Sequence, residues 1–144
     1  MLVSQILKSK PLGAVITIAP GASVSEAVAL LSEKRIGAVI VSKDGMAAEG
    51  ILSERDIVRE LGKRGPSVLT EKVSALMTSR LIGCGSADQT DAVLQKMTDG
   101  RFRHMPVIDG GKMVGLISIG DVVKARLEEL AAEKDALEGM IKGF

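Results

Sequence analysis

The chain has 144 residues, 46% of them hydrophobic, enough for one compact domain or two small repeats sharing a core, and too apolar for a disordered chain. A net charge of +1 and an aromatic content of two Phe, with no Trp or Tyr, argue against a basic nucleic-acid domain or a base-stacking platform. One cysteine and one histidine cannot make an internal disulfide or a zinc site, and neither a membrane-length apolar run nor a signal-peptide pattern stands in the sequence, so a soluble cytoplasmic protein without membrane or nucleic-acid partners is the expectation.

In chain order the pattern occurs twice. Val3 to Lys10 aligns with Val73 to Arg80 at an offset of 70, Ile18 to Arg35 with Cys84 to Arg101 at 66, and Gly50 with Gly115 at 65. The changes fit an insertion near Pro11-Leu12-Gly13-Ala14 and a one-residue difference after Val41, both where turn residues tolerate length changes. A short helical turn (Val3 to Leu7, Val73 to Met77) leads to an extended segment (Val15 to Ile18, Leu81 to Cys84). Ser23 or Ser25 caps a helix whose Val24, Ala27, Val28 and Leu31 share one face, and its counterpart carries Ala92, Val93, Leu94 and Met97 and ends near Gly100.

Strands follow at Ala38 to Val41 and His104 to Ile108, with Pro106 implying a strand start or an edge. Hairpin turns at Lys43-Asp44-Gly45 and Asp109-Gly110-Gly111 lead to second strands, Gly50 to Leu52 and Met113 to Ile117, and then to a last helix. The fold class is α+β, a β-α-β-β-α unit repeated over residues 1–66 and 67–144. Neither copy covers its own apolar face, so the two pack as one module. The final helix runs on from Asp121 to about Lys142. Its Val123, Leu127, Leu130, Leu137 and Ile141 form a four-three stripe, either folded back on the module or a seam to another subunit.

Each copy closes on glycine, a short apolar strand, then Ser-x-x-Asp: Ser53 to Asp56, and Ser118-Ile119-Gly120-Asp121. Serine is a good N-cap, and an acid three residues on resembles a capping box. Aspartate is shorter than the usual Glu or Gln, so it is expected to reach the cap poorly and keep carboxylate oxygens free. A free carboxylate at a strand-to-helix junction suits the paired hydroxyls of a ribose, while the serine hydroxyl and helix-start N–H groups suit a phosphate.

This duplicated pattern resembles a tandem pair of cystathionine-β-synthase (CBS) domains, a Bateman module, over nearly the whole chain. Arg101-Phe102-Arg103-His104-Met105-Pro106-Val107 and Ser74-Ala75-Leu76-Met77-Thr78 are similar to family segments. The resemblance implies clefts between the copies that bind AMP above all, or ADP, ATP, NAD(H) or S-adenosylmethionine, as ligands rather than catalytic cofactors. It implies ribose at Asp121 and Asp56, helped by Ser118 and Ser53. For the Asp121 cleft it implies adenine against Ile82, Gly83 and Cys84, beside Met105 and Pro106, with Thr78 leading in. Val15 to Ile18 and Val39-Ile40 would wall the Asp56 cleft. The family also implies a flat homodimer.

The surroundings of the two motifs differ. Copy two offers Arg101, Arg103 and His104 where copy one has Arg35, Gly37 and Ala38, and Arg55 faces Gly120 in the alignment. The Asp121 cleft is therefore expected to be the better nucleotide site, with Arg55, Arg103 and His104 at its anionic end. Plainer roles stand beside these: Arg101 and Arg103 as solvated charges, His104 as a structural histidine, Cys84 as a packing residue, and Met77, Met97, Met105 and Met113 as core fillers. With no Gly-x-x-x-x-Gly-Lys-Ser/Thr loop, metal cluster or nucleophile–base pair, the reading is a stand-alone sensor, not an enzyme, that signals to an unidentified regulated protein. A structural dimer with vestigial pockets, or a nucleotide-processing enzyme, is the alternative.

Overall fold

The computed structural model describes residues 1–10 and 15–142; the expected insertion at residues 11–14 lies outside the described residues. The element order is α1 (Val3–Ser9), β1 (Thr17–Ile18), α2 (Val24–Lys34), β2 (Ala38–Val41), β3 (Gly50–Ser53) and α3 (Glu54–Arg64). A 3₁₀ turn (Pro66–Thr70) leads to α4 (Val73–Leu76), α5 (Thr90–Gly100), β4 (His104–Asp109), β5 (Lys112–Ser118) and α6 (Ile119–Ile141). The repeat is thus visible in the fold, and no helix among the described residues is long and apolar enough to cross a membrane.

The helix starts follow from local chemistry. Ser23, Ser53 and Ser118 each accept the N–H of the residue three ahead, and Glu26, Asp56 and Asp121 each accept the serine N–H in return. All three are complete capping boxes. Aspartate therefore does reach back, contrary to the expectation from its length: Asp56 Oδ2 lies 3.0 Å from the Ser53 nitrogen, and Asp121 Oδ2 lies 2.9 Å from that of Ser118. An extended cap residue brings its own N–H round toward the third helical position, so the shorter side chain suffices.

The sheets differ by one proline. In copy one, β1 runs parallel to β2, which pairs antiparallel with β3. In copy two, β4 and β5 pair antiparallel, and the expected first strand shrinks to a single parallel bridge between Cys84 and Val107. The Cys84 N–H donates to the Pro106 carbonyl (3.1 Å), and the Ile108 N–H donates to that of Cys84 (2.8 Å). The next bond of a parallel ladder needs an N–H on Pro106, which has none, so pairing stops. Ile40 stands at this place in copy one, and the strand forms. Pro106 sits third in β4 rather than at its start and stays paired with Leu116 of β5, the β4–β5 register shifting only after Val107.

Two apolar cores result, and the helical turns that open the copies are exchanged between them. Val3 and Ile6 of α1 lie in the core of copy two, with Cys84, Val93, Met97, Met105, Ile117 and Val122. Val68, Val73 and Leu76 lie in that of copy one, with Val24, Leu31, Val39, Leu52 and Ile57. This exchange holds the copies together: burying each such side chain contributes about 1.5–3 kcal/mol. Helix α6 buries Val122 and Ala125, yet its four-three stripe stays open, with Leu127 62% and Leu137 60% exposed. The stripe does not fold back on the module.

Candidate ligand-binding clefts

Two clefts lie between the copies, and each takes its Ser-x-x-Asp from one copy and its walls from the other. The exchanged helical turns cause this. At the end of α4, Thr78 trades backbone hydrogen bonds with Ile51 (2.8 and 2.9 Å), which sets Arg80, Leu81 and Ile82 beside Ser53 and Asp56. After α1, the Lys10 ammonium donates to the Leu116 carbonyl (2.8 Å), and Val15 and Ile16 line the cleft of Ser118 and Asp121. The glycine opening each repeated stretch permits the crossing. A Cβ on Gly50 would stand 2.6 Å from Met77 Sδ and 3.0 Å from the Thr78 carbonyl, and one on Gly115 would stand 2.5 Å from Leu7 Cδ2.

The Asp56 cleft encloses about 480 Å³ and gathers five arginines, Arg55, Arg59, Arg80, Arg101 and Arg103, around one aspartate. Asp56 is 8% exposed. Its Oδ2 accepts the Ser53 N–H and hydroxyl, and its Oδ1 accepts from Arg59 at 3.0 Å. Arg59 belongs to the same helix and is half exposed, so it can swing to solvent. The other four arginines form no ion pair among the described residues. Arg101 is the C-cap of α5 and is held left-handed at φ 55°, a conformation that favours glycine.

The Asp121 cleft encloses about 570 Å³ and is lined by Lys8, Lys10, Arg35, Gly37, Ala38 and Ser118. Arg35 is the repeat counterpart of Arg101 and shares its left-handed cap geometry. Lys10 lies 2.9 Å from Asp121 Oδ2, the oxygen that also accepts the Ser118 N–H. Burial alone would raise the Asp121 carboxyl; the Ser118 N–H and hydroxyl together with Lys10 outweigh it and hold the group below the ordinary carboxylate range.

His104 lines both clefts and separates them. A Cβ on Gly37 would lie 3.4 Å from its Nε2, so the imidazole rests on that glycine. Burial lowers the His104 pKa, against the pull of Glu54 and Asp121 and with the help of Lys10 and Arg103. Among the described residues no cluster of His, Cys, Asp and Glu has the makings of a metal site.

A family model of the CBS domain matches residues 3–63 and again 73–128. The chain belongs to the CBS domain family. It is 38% identical over 125 residues to a mitochondrial CBS domain-containing protein of Arabidopsis thaliana (CBSX3), covering 84% of this chain and 61% of that one. It spans only about a quarter of several longer CBS domain-containing proteins of the same plant. The crystal structure of a CBS-domain containing protein from Agrobacterium tumefaciens superposes with a TM-score of 0.83 at 40% identity, over 88% of this chain and 99% of that one. A CBS domain protein from Pyrobaculum aerophilum, solved with AMP, gives 0.77 at 26% identity over 92% and 99%. The CBS domain pair of MJ0100, solved with 5′-methylthioadenosine and S-adenosyl-L-methionine, gives 0.77 at 25% over 90% and 98%.

Within this CBS pair the expected grouping of residues is corrected. Arg55, Thr78, Ile82, Arg101 and Arg103 surround Asp56, not Asp121, because the crossing turns deliver each wall to the other copy's motif, while His104 faces both aspartates' clefts. Val15 and Ile16 meet Asp121 for the same reason. Six expected residues line neither cleft. Met105, Pro106 and Cys84 are buried, and burial pushes the Cys84 thiol up to about 11, as a packing residue requires. Gly83 backs onto the Pro106 carbonyl, and a Cβ there would stand 3.1 Å from it.

The other two are Ile119, which packs on the copy-two core, and Gly120, which is exposed beside it at the start of α6. The helix-start N–H groups are also partly used, since Ile119 donates to the Arg103 carbonyl and Asp121 to Ser118 Oγ. Lys10 and Arg80 are cleft residues outside the set expected from sequence. They stand at equivalent places at the end of the repeated opening segment, so a cation in both copies was the available signal.

Proposed function

We propose that this CBS pair is a non-catalytic sensor of an adenosine nucleotide, with AMP the first candidate and ADP, ATP and NAD(H) after it, acting on a regulated protein. The observation that carries the reading is the Asp56 cleft, where Arg55, Arg80, Arg101 and Arg103 converge near one carboxylate at a helix start. In this reading Asp56 and Ser53 take the ribose hydroxyls once Arg59 swings out, and adenine lies along Arg80 to Ile82, where the interrupted ladder leaves backbone groups without a backbone partner among the described residues. The arginines take the phosphate, Arg103 and Arg55 first. Relatives solved with AMP or with S-adenosyl-L-methionine support an adenosine-type ligand.

Occupancy acts on a partner only if the bound and free forms differ in affinity for it. The same reading makes the module a homodimer through α6, whose Val123, Leu127, Leu130, Leu137 and Ile141 stay exposed at helix-pairing spacing. Incubation with AMP, ATP and NADH, following thermal shift and product formation together, tests the function. A shift without turnover is the expected result, turnover would make the protein an enzyme, and neither would leave a scaffold. Sedimentation at micromolar concentration is expected to give a dimer, and a monomer overturns that part.

A further inference from the structure

The two aspartates are not equally available to a ligand, and the difference lies in where their cations come from. Asp56 is paired with Arg59 three residues on, in the same helix. Asp121 is paired with Lys10 from the opposite end of the chain, whose ammonium also donates to the Leu116 carbonyl and so sits clamped between β5 and the start of α6. Arg80, the repeat counterpart of Lys10, forms no ion pair or side-chain hydrogen bond among the described residues. Asp121 Oδ2 thus holds two donors, Lys10 and the Ser118 N–H, while Oδ1 accepts none among the described residues. Both partners of the ion pair are 27% exposed, which strengthens the contact relative to one in water.

We propose that Lys10 is a specificity-determining residue that makes the Asp121 cleft accept nucleoside phosphates and refuse nucleosides and cationic adenosine derivatives. The inference rests on the reading that Asp121 takes a ribose. A ribose hydroxyl pair bidding for both carboxylate oxygens must displace Lys10 from Oδ2. A neutral nucleoside then strands an ammonium in a partly buried cleft, which is costly. A 5′-phosphate gives that ammonium a new anionic partner, so one charge-assisted bond replaces another at little cost. Lys8 and Arg35 line the same cleft and add to its preference for anions. A sulfonium group, as in S-adenosylmethionine, would meet these three cations and gain nothing.

Calorimetry with AMP, adenosine and S-adenosylmethionine on the full chain tests this, using Lys10→Met, Lys10→Arg and an Asp121→Asn background. The Met variant is expected to lower the ratio of AMP to adenosine affinity by about tenfold or more, through weaker AMP and tighter adenosine binding. The Arg variant is expected to keep the ratio, and Asp121→Asn to abolish the Lys10 effect. AMP binding with a ratio unchanged by Lys10→Met overturns the inference alone, as does an effect that persists in the Asp121→Asn background. No AMP binding to the wild-type chain overturns the adenosine reading beneath it as well.

Discussion

The two clefts share one plan and differ in a handful of side chains. Arg101 matches Arg35 and Arg80 matches Lys10, so each cleft has one cation on the cap of a helix and one after a crossing turn. Beyond these, the Asp56 cleft gains Arg55 and Arg103, whose repeat counterparts Gly120 and Gly37 carry no charge, while the Asp121 cleft has Lys8 where the other has Thr78, and His104 is common to both. One cleft is therefore an open cationic bowl, and the other is roomier and closed upon its own lysine. Duplication supplied the geometry twice, and substitution within it separated the chemistry. The difference also shows that a site motif says little about its site when the walls come from another repeat.

Exchanging the roles of the two aspartates is the sharpest way to break this comparison. Asp56→Ala is expected to weaken the tighter AMP site by about tenfold to a hundredfold, the worth of one or two charge-assisted hydrogen bonds. Asp121→Ala is expected to leave that site nearly unchanged. Calorimetry giving the opposite ranking would return the better site to Asp121.

Next in size are the glycines that admit the crossing turns. Gly50→Ala is expected to destabilise the fold by about 1–3 kcal/mol, as overpacking does. The backbone carbonyl of Thr78 cannot yield as a side-chain tip can. Gly115→Ala presses first on the side-chain end of Leu7, which can turn aside, and is expected to cost less. Urea unfolding of both variants measures the gap, and equal losses would contradict the tighter crossing at Asp56.

Smaller still is the strain at the two arginine caps. Arg101→Gly and Arg35→Gly should each stabilise the chain by about 1 kcal/mol, since glycine adopts the left-handed cap without penalty. Arg101→Gly alone should also weaken AMP at the tighter site. A retained arginine that costs stability is then explained by binding.

The least effect concerns pH. The Asp121 carboxyl titrates lower in the folded chain than in the unfolded one, where it has the ordinary carboxyl value of 3.8. Its contribution to stability is complete above that pH and is lost as pH falls through the folded value. Unfolding followed from pH 5 to pH 2 should show a shallower acid loss in Lys10→Met than in wild type, because one of the groups that lower this carboxyl is removed. Identical slopes would mean that Ser118 alone sets the carboxyl.

Much of the fold can be read from local pattern. Serine followed three residues later by Asp or Glu marks three helix starts at Ser23, Ser53 and Ser118, and short apolar runs rich in β-branched residues mark the strands. The missing first strand of copy two was legible in principle, because Pro106 stands where Ile40 donates a ladder bond. Leu81 to Cys84 has the apolar pattern of a strand, but its pairing depends on the neighbouring segment, where Pro106 lacks the donor. The candidate site was legible as a set of residue types but not as two sites. The residue types point to Asp56, Asp121, Arg55, Arg103 and His104, yet they assign the arginines to Asp121 where the fold sets them beside Asp56.

The sequence by itself determined the repeat, the order of elements, the capping boxes and the uneven distribution of charge between the copies. These depend on residues a few places apart, where spacing maps directly onto geometry. Tertiary structure alone decided which aspartate each arginine serves and that Lys10 occupies Asp121. The reason is the exchange of α1 and α4 between the cores, held by Thr78 on Ile51 and Lys10 on Leu116. In the latter pair the partners stand 106 positions apart. No local pattern encodes which of two similar surfaces a crossing turn will meet; the packing of both copies together does.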